Sequence, residues 1–269
     1  MSKHSALAVV SLVLTLVVTD PSAAQDIFHS TQSPNLQTTS GLRAGSWLFE
    51  ISHRFAPAIS EGKDALWGLD GPVYNRLGLT YMPTPGVLFG IQRSNLEDNL
   101  ELNAKARLLE LQLGAVPVEL AAVTGVAWNT DPVLLDGATD NESQFYAQVI
   151  IDALVTERIA VGVVPTWLRN PRIRDVDTFN ALALGVHGQV YLTRAVSVMG
   201  EWIFSEELPD RAHDSGTFGF EFETRGHFFK LLVTNQSLMN PTQYLGGSAS
   251  PFEVGELRFG FNVQRVLPF

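Results

Sequence analysis

The sequence predicts an all-β fold: a transmembrane, antiparallel, up-and-down β-barrel of about twelve strands, preceded by a cleavable signal peptide. Three observations predict it. Segments of roughly 8 to 14 residues alternate apolar and polar side chains along most of the chain. The connections between them run alternately long and short. The apolar phase is aromatic near both strand ends, as a bilayer with two water interfaces demands.

Composition sets the outer bounds. The chain has 269 residues, 45% of them hydrophobic and 17% charged, enough for one large all-β domain. A formal charge of −10 and no basic cluster exclude a nucleic-acid partner. Without cysteine there is no disulfide, thiolate metal site or lipidated N-terminal cysteine. The histidines are scattered, with no HxH or HExxH spacing, so no metal site and no cofactor is expected.

Residues 1–24 read as a signal peptide. Lys3 supplies the positive start, Ala6 to Val18 the apolar core, and Asp20-Pro21 the break. Ser22-Ala23-Ala24 offers small residues for cleavage before Gln25. Residues 25–45 are polar and rich in Ser, Thr and Gln. They are expected to form a periplasmic N-terminal segment, and composition favours a disordered lead over a plug folded into the barrel. The barrel itself takes 46–269.

Its strands are read at 46–55, 73–82, 87–93, 99–109, 116–128 and 144–156, then 158–168, 180–192, 195–205, 217–224, 227–235 and 254–266. In the first, Trp47, Phe49, Ile51 and Phe55 oppose Glu50, Ser52 and Arg54. In the fourth, Leu100, Leu102, Ala104, Ala106 and Leu108 oppose Glu101, Asn103, Lys105 and Arg107. No segment carries a 3.6-residue apolar stripe, so almost no helix is expected.

Connections 56–72, 94–98, 129–143, 169–179, 206–216 and 236–253 are long or polar. Those at 83–86, 112–115, 157, 193–194 and 225–226 are short. Gly68-Leu69-Asp70-Gly71 has too few ordered acids for a Ca²⁺ loop and reads as a turn at the barrel mouth. An even strand count places both termini on the tight-turn side, which in this topology is periplasmic.

The polar phase decides which way the apolar face points. It collects Glu50, Arg54, Arg76, Glu101, Lys105, Arg107 and Glu119, then Asp152, Arg158, His187, Glu201, Glu221, Glu223, Lys230 and Arg258. So many ionised groups belong in a wet or ion-paired lumen, with the apolar phase against lipid. Trp47, Tyr81 and Phe269 fall at tight-turn ends. Phe55, Trp128, Phe145, Trp167, Trp202, Phe204 and Phe218 fall near loop ends. The closing GELRFGFNVQRVLPF reads as a lipid-facing last strand ending in the terminal aromatic that barrel-insertion machinery reads. Pro268 and a snorkelling Arg265 depart from the commonest form.

Several stretches then resemble one family: ISHRF (51–55), LWGLDG (66–71), NRLGLTY (75–81), IQRS (91–94), PTWLRN (165–170), RGHFFKLLVTNQSLM (225–239) and LRFGFNVQRV (257–266). In this order they are similar to the motifs of a bacterial outer-membrane β-barrel family, a domain of unknown function (DUF5777-like). The resemblance covers about residues 40 to 267. It implies a barrel in the cell envelope and carries over no catalytic residue.

Two function classes remain open. One is a passive channel for a small polar solute through the charged lumen. The other is a closed structural or partner-binding barrel whose charges form an ion-pair lattice. A third, weaker reading rests on His213-Asp214-Ser215, whose His-x-Ser spacing is that of outer-membrane phospholipases. Here the next strand turns Phe218, Phe220 and Phe222 to lipid, which leaves His213 and Ser215 on the other phase. His53 and Arg93 sit on the lipid-facing phase, where a lipopolysaccharide phosphate suits them. The expected partners are outer-membrane lipid, lipopolysaccharide, the insertion machinery and a polar solute.

Overall fold

A computed structural model describes residues 26–130, 143–172, 178–206 and 211–267. The signal segment, Pro268, Phe269 and most of the loop 129–143 therefore lie outside the described residues. Twelve strands form: β1 (Trp47–Phe55), β2 (Val73–Thr84), β3 (Val87–Ser94), β4 (Asn99–Leu113), β5 (Val116–Asn129) and β6 (Ser143–Thr156), then β7 (Ile159–Arg169), β8 (Asn180–Tyr191), β9 (Val196–Ser205), β10 (Ser215–Thr224), β11 (His227–Thr234) and β12 (Arg258–Leu267). Each pairs antiparallel with its sequence neighbour, and β1 pairs with β12 to close the barrel. Closure leaves no strand edge unpaired, the condition for a sheet in hydrocarbon.

Side chains alternate across the wall. In β7 every second residue from Ile159 to Arg169 is exposed and its neighbours are buried. Phe49, Leu77, Phe89, Leu182, Phe218, Phe220 and Leu231 point outward and stay two-fifths exposed or more, apart from Phe49 at 39%. No described helix is long and apolar enough to cross a membrane; the strands make the crossing. Among the described residues helix is confined to a kinked 3₁₀ segment (Ile59–Gly68) and one turn, α1 (Pro241–Tyr244).

The tight-turn end is built by four two-residue connections and the four-residue β8–β9 connection. Arg225 and Gly226 both take positive φ, the backbone of a primed hairpin turn that matches strand twist. Trp47 and Tyr81 stack at this end with ring centroids 4.5 Å apart. At the other end the Trp202 indole donates to Asp214 at 3.2 Å.

Three expectations need correcting. Residues 26–45 are not a free lead: Ile27, Phe28, Leu36 and most of the polar residues between Ser30 and Ser40 are buried inside the barrel. Composition alone missed this because the wall supplies the missing partners. Arg158 lies exposed in the β6–β7 turn, not on the inner wall. The 66–71 turn stays outside, with Leu69 49% exposed; the loop after β11 folds into the mouth instead.

Candidate functional site

The site is the lumen and what fills it. The N-terminal segment enters at the tight-turn end, climbs to a turn at Pro34-Asn35 and returns to β1. Ser33 N–H donates to the Leu36 carbonyl at 2.8 Å and Gln32 bridges Gln37, so the segment is a small hairpin. Its tip is held mostly by ionised wall side chains. Glu201 accepts from the Asn35 and Leu36 amides at 2.8 and 2.9 Å. Arg54 donates to the Asn35 side chain at 2.8 Å, and the Asn262 amide to the Pro34 carbonyl at 2.7 Å.

Lower down, Asp152 accepts from Thr39 N–H at 2.7 Å and from its hydroxyl at 3.0 Å. The Lys105 ammonium donates to the Thr38 and Ser40 carbonyls, both at 2.8 Å. Lys230 donates to Ser30 Oγ at 2.9 Å and to the Gln32 carbonyl, and lies 3.4 Å from Glu221. Buried charges of both signs are thus neutralised by each other or by backbone dipoles, without which their burial costs several kcal/mol each.

The wall also has an apolar patch. Ala121, Val123, Ile150, Val164, Ala183 and Ile203 face inward across β5 to β9 and receive Leu36 of the hairpin. Gly185 makes the seat: a Cβ there would lie 2.7 Å from Leu36 Cδ1. Nearby, Asp152 and His187 pair at 3.0 Å, and Phe28 stacks on the imidazole at 4.8 Å. Gly162 leaves their room, since a Cβ would stand 2.1 Å from both groups.

A second segment closes the loop end. Residues 235–250, including α1, fold into the mouth and are almost wholly buried. Arg76, ion-paired to Glu50, donates to the Met239 carbonyl. Asn240 donates to the Asn99 carbonyl at 3.1 Å, and Thr242 to Glu101 at 3.4 Å, where the Tyr146 hydroxyl also donates at 2.9 Å. The Tyr244 hydroxyl donates to the Asn35 carbonyl at 3.0 Å, so the two inserted segments meet. Beside the hairpin, the space against β1 to β4 is a cavity of about 30 Å³.

The remaining candidates are placed as follows. Arg107 contacts Asp26 and Glu110 at 3.0 Å and Glu119 at 3.8 Å. Glu223 pairs with His29 at 2.7 Å near the tight-turn end, and Arg258 donates to the Ala56 carbonyl at 2.9 Å. His213 is exposed and bridges Ser248 through backbone, while Ser215 is buried and accepts from Gln236 at 2.7 Å. Among the described residues no base is bonded to that serine, so they do not assemble the hydrolase constellation. His53 packs edge-on against Phe261, and Arg93 is opposed by Asp98 at 2.5 Å. Among the described residues no three His, Asp or Glu side chains converge on a metal position.

A family described as a membrane-bound β-barrel domain, DUF5777, matches residues 28–267. The chain belongs to this family. The match begins at residue 28, so the lumenal hairpin falls within the DUF5777 domain. Among solved structures, the KdgM porin is 8% identical, with 82% of this chain and 98% of the porin covered at a TM-score of 0.47. The NanC porin is 8% identical over 83% of this chain and 99% of the other, at 0.46. The translocator domain of the autotransporter NalP from Neisseria meningitidis is 10% identical over 86% and 91%, at 0.37. No curated protein matches.

Proposed function

We propose that this DUF5777 barrel is an outer-membrane conduit for a small polar solute, held shut by its own N-terminal hairpin. Its two ends lie in the periplasm. The observation that carries the reading is how the hairpin is held. Its backbone and hydroxyls bond to Glu201, Asp152, Lys105 and Lys230, and only a few residues, chiefly Leu36, Ile27 and Phe28, make apolar seats. Water can take over each of those polar contacts at a net cost of about 1 kcal/mol. Withdrawal of the hairpin therefore leaves a hydrated, charged wall rather than a collapsed core. Outward-facing hydrocarbon keeps the wall in the bilayer meanwhile.

The second segment favours the alternative, a permanently closed barrel, because Tyr244 braces the hairpin tip from the loop end. Conductance in planar bilayers separates the two. The full mature chain should be mostly silent, and Glu201→Ala, which removes the acceptor of the Asn35 and Leu36 amides, should open in discrete steps. Folded Glu201→Ala protein that stays silent would return the barrel to the closed class.

A further inference from the structure

At the tight-turn end, hairpin and wall do not meet everywhere. A cavity of about 530 Å³ lies between them, bounded by Asp26, His29, Leu42 and Arg43 on one side and by Leu48, Arg225, Phe228 and Val266 on the other. Its lining carries two arginines, Arg43 and Arg225, against one acid, Asp26. Asp26 is engaged by Arg107 at 3.0 Å, and Glu223, the acid beside His29, is engaged by that histidine at 2.7 Å. Arg43 of the N-terminal segment and Arg225 of the β10–β11 turn both line the cavity and are exposed, and neither has an acidic partner among the described residues. Leu48 and Phe228 are buried inward-facing residues, so the apolar floor belongs to the lumen and not to the lipid surface.

The geometry points to a binding site for a small soluble anion, a phosphate or carboxylate carried on a compact apolar group. The anionic head bridges Arg43 and Arg225, which suits the fork geometry of guanidinium, and the apolar part lies on Leu48, Phe228 and Val266. The volume is in the range of small-ligand pockets. Because Arg43 ends the hairpin and Arg225 sits in a wall turn, a bound anion ties one to the other. The inference rests on the gated reading only for that consequence; binding is measured apart from conductance.

The probe is phenyl phosphate, titrated calorimetrically into the full mature chain in neutral detergent, with phenol as the uncharged comparator. Phenyl phosphate should bind saturably and phenol should not. Arg43→Gln and Arg225→Asn, the latter chosen because Asn accepts the positive φ at this turn, should each weaken binding by about tenfold. Both residues are exposed, and retained heat-modifiable migration on a detergent gel confirms that the variants fold. Absence of binding, or an affinity in both variants equal to that of the unaltered chain, overturns the site. Loss of binding only in nanodiscs containing anionic lipid assigns the pocket to headgroups and overturns the soluble ligand. Saturable binding that leaves the conductance of Glu201→Ala unchanged refutes the tie between hairpin and wall while the anion site stands.

Discussion

At the scale of single residues, the inner wall is a set of charges that each need a particular neighbour, and glycines provide the space. Asp152 illustrates it: one carboxylate oxygen takes the His187 ring and the other takes Thr39 of the hairpin. Gly162 stands against both members of that pair. Gly162→Ala should therefore cost about 1–3 kcal/mol, the usual range for overpacking a filled interior. A drop in the urea midpoint of the folded band on a detergent gel measures this, and an unchanged midpoint would mean that the pair has slack the geometry does not show. Such a constraint is hidden in the sequence. The inward phase of β7 and β8 places His187 and Gly162 on one side of the wall, but it says nothing of which groups touch.

At the scale of elements, the strands were legible and the insertions were not. Alternation locates β3, β6 and β11 to within a residue or so, because each strand has one lipid face and one lumen face. It fails where the pairing slips. The reading of the fourth strand stops at 109, whereas β4 continues to Leu113, because a register shift between Arg107 and Leu109 puts Leu108 and Leu109 in succession and breaks the pattern. It fails again at 254–257, where apolar Val254 is 84% exposed in the loop and β12 begins only at Arg258. Across β5 to β9 both phases are partly apolar, so the seat for Leu36 carries no periodic signal. The hairpin is the deepest miss, since its order comes from Glu201, Asp152, Lys105 and Lys230, all remote in sequence.

That dependence makes the hairpin separable from the wall, and the lack of native cysteine makes this easy to probe. Ser33 is fully buried near the tip, and its hydroxyl has no partner among the described residues, so Ser33→Cys is close to isosteric and removes no bond seen there. The thiol should resist a bulky maleimide in an otherwise unaltered barrel. Adding Gly185→Leu fills the seat of Leu36 and should raise the labelling rate at least tenfold at equal folded fraction. Equal rates with and without Gly185→Leu would show that the tip does not depend on that seat.

For the whole molecule, the chain's excess of acid carries into the lumen only weakly. The inner wall presents Glu50, Glu101, Glu110, Glu119, Asp152, Glu201, Glu221 and Glu223 against Arg54, Arg76, Lys105, Arg107, Lys230 and Arg258. With the hairpin in place most of these charges are spent on each other, on its backbone, or on the segment in the mouth, as Glu101 is on Thr242. Once it withdraws, water screens most of the pairs and the small acidic surplus sets the field along the pore. A Glu201→Ala channel, itself one acid poorer, should then show a slight cation preference: a reversal potential displaced in the cation direction under a KCl gradient, well short of the ideal limit. Lys230→Gln added to it removes a buried cation and should enlarge that displacement. An anion-selective pore, or one indifferent to Lys230, would mean that the permeating ions do not pass along this wall.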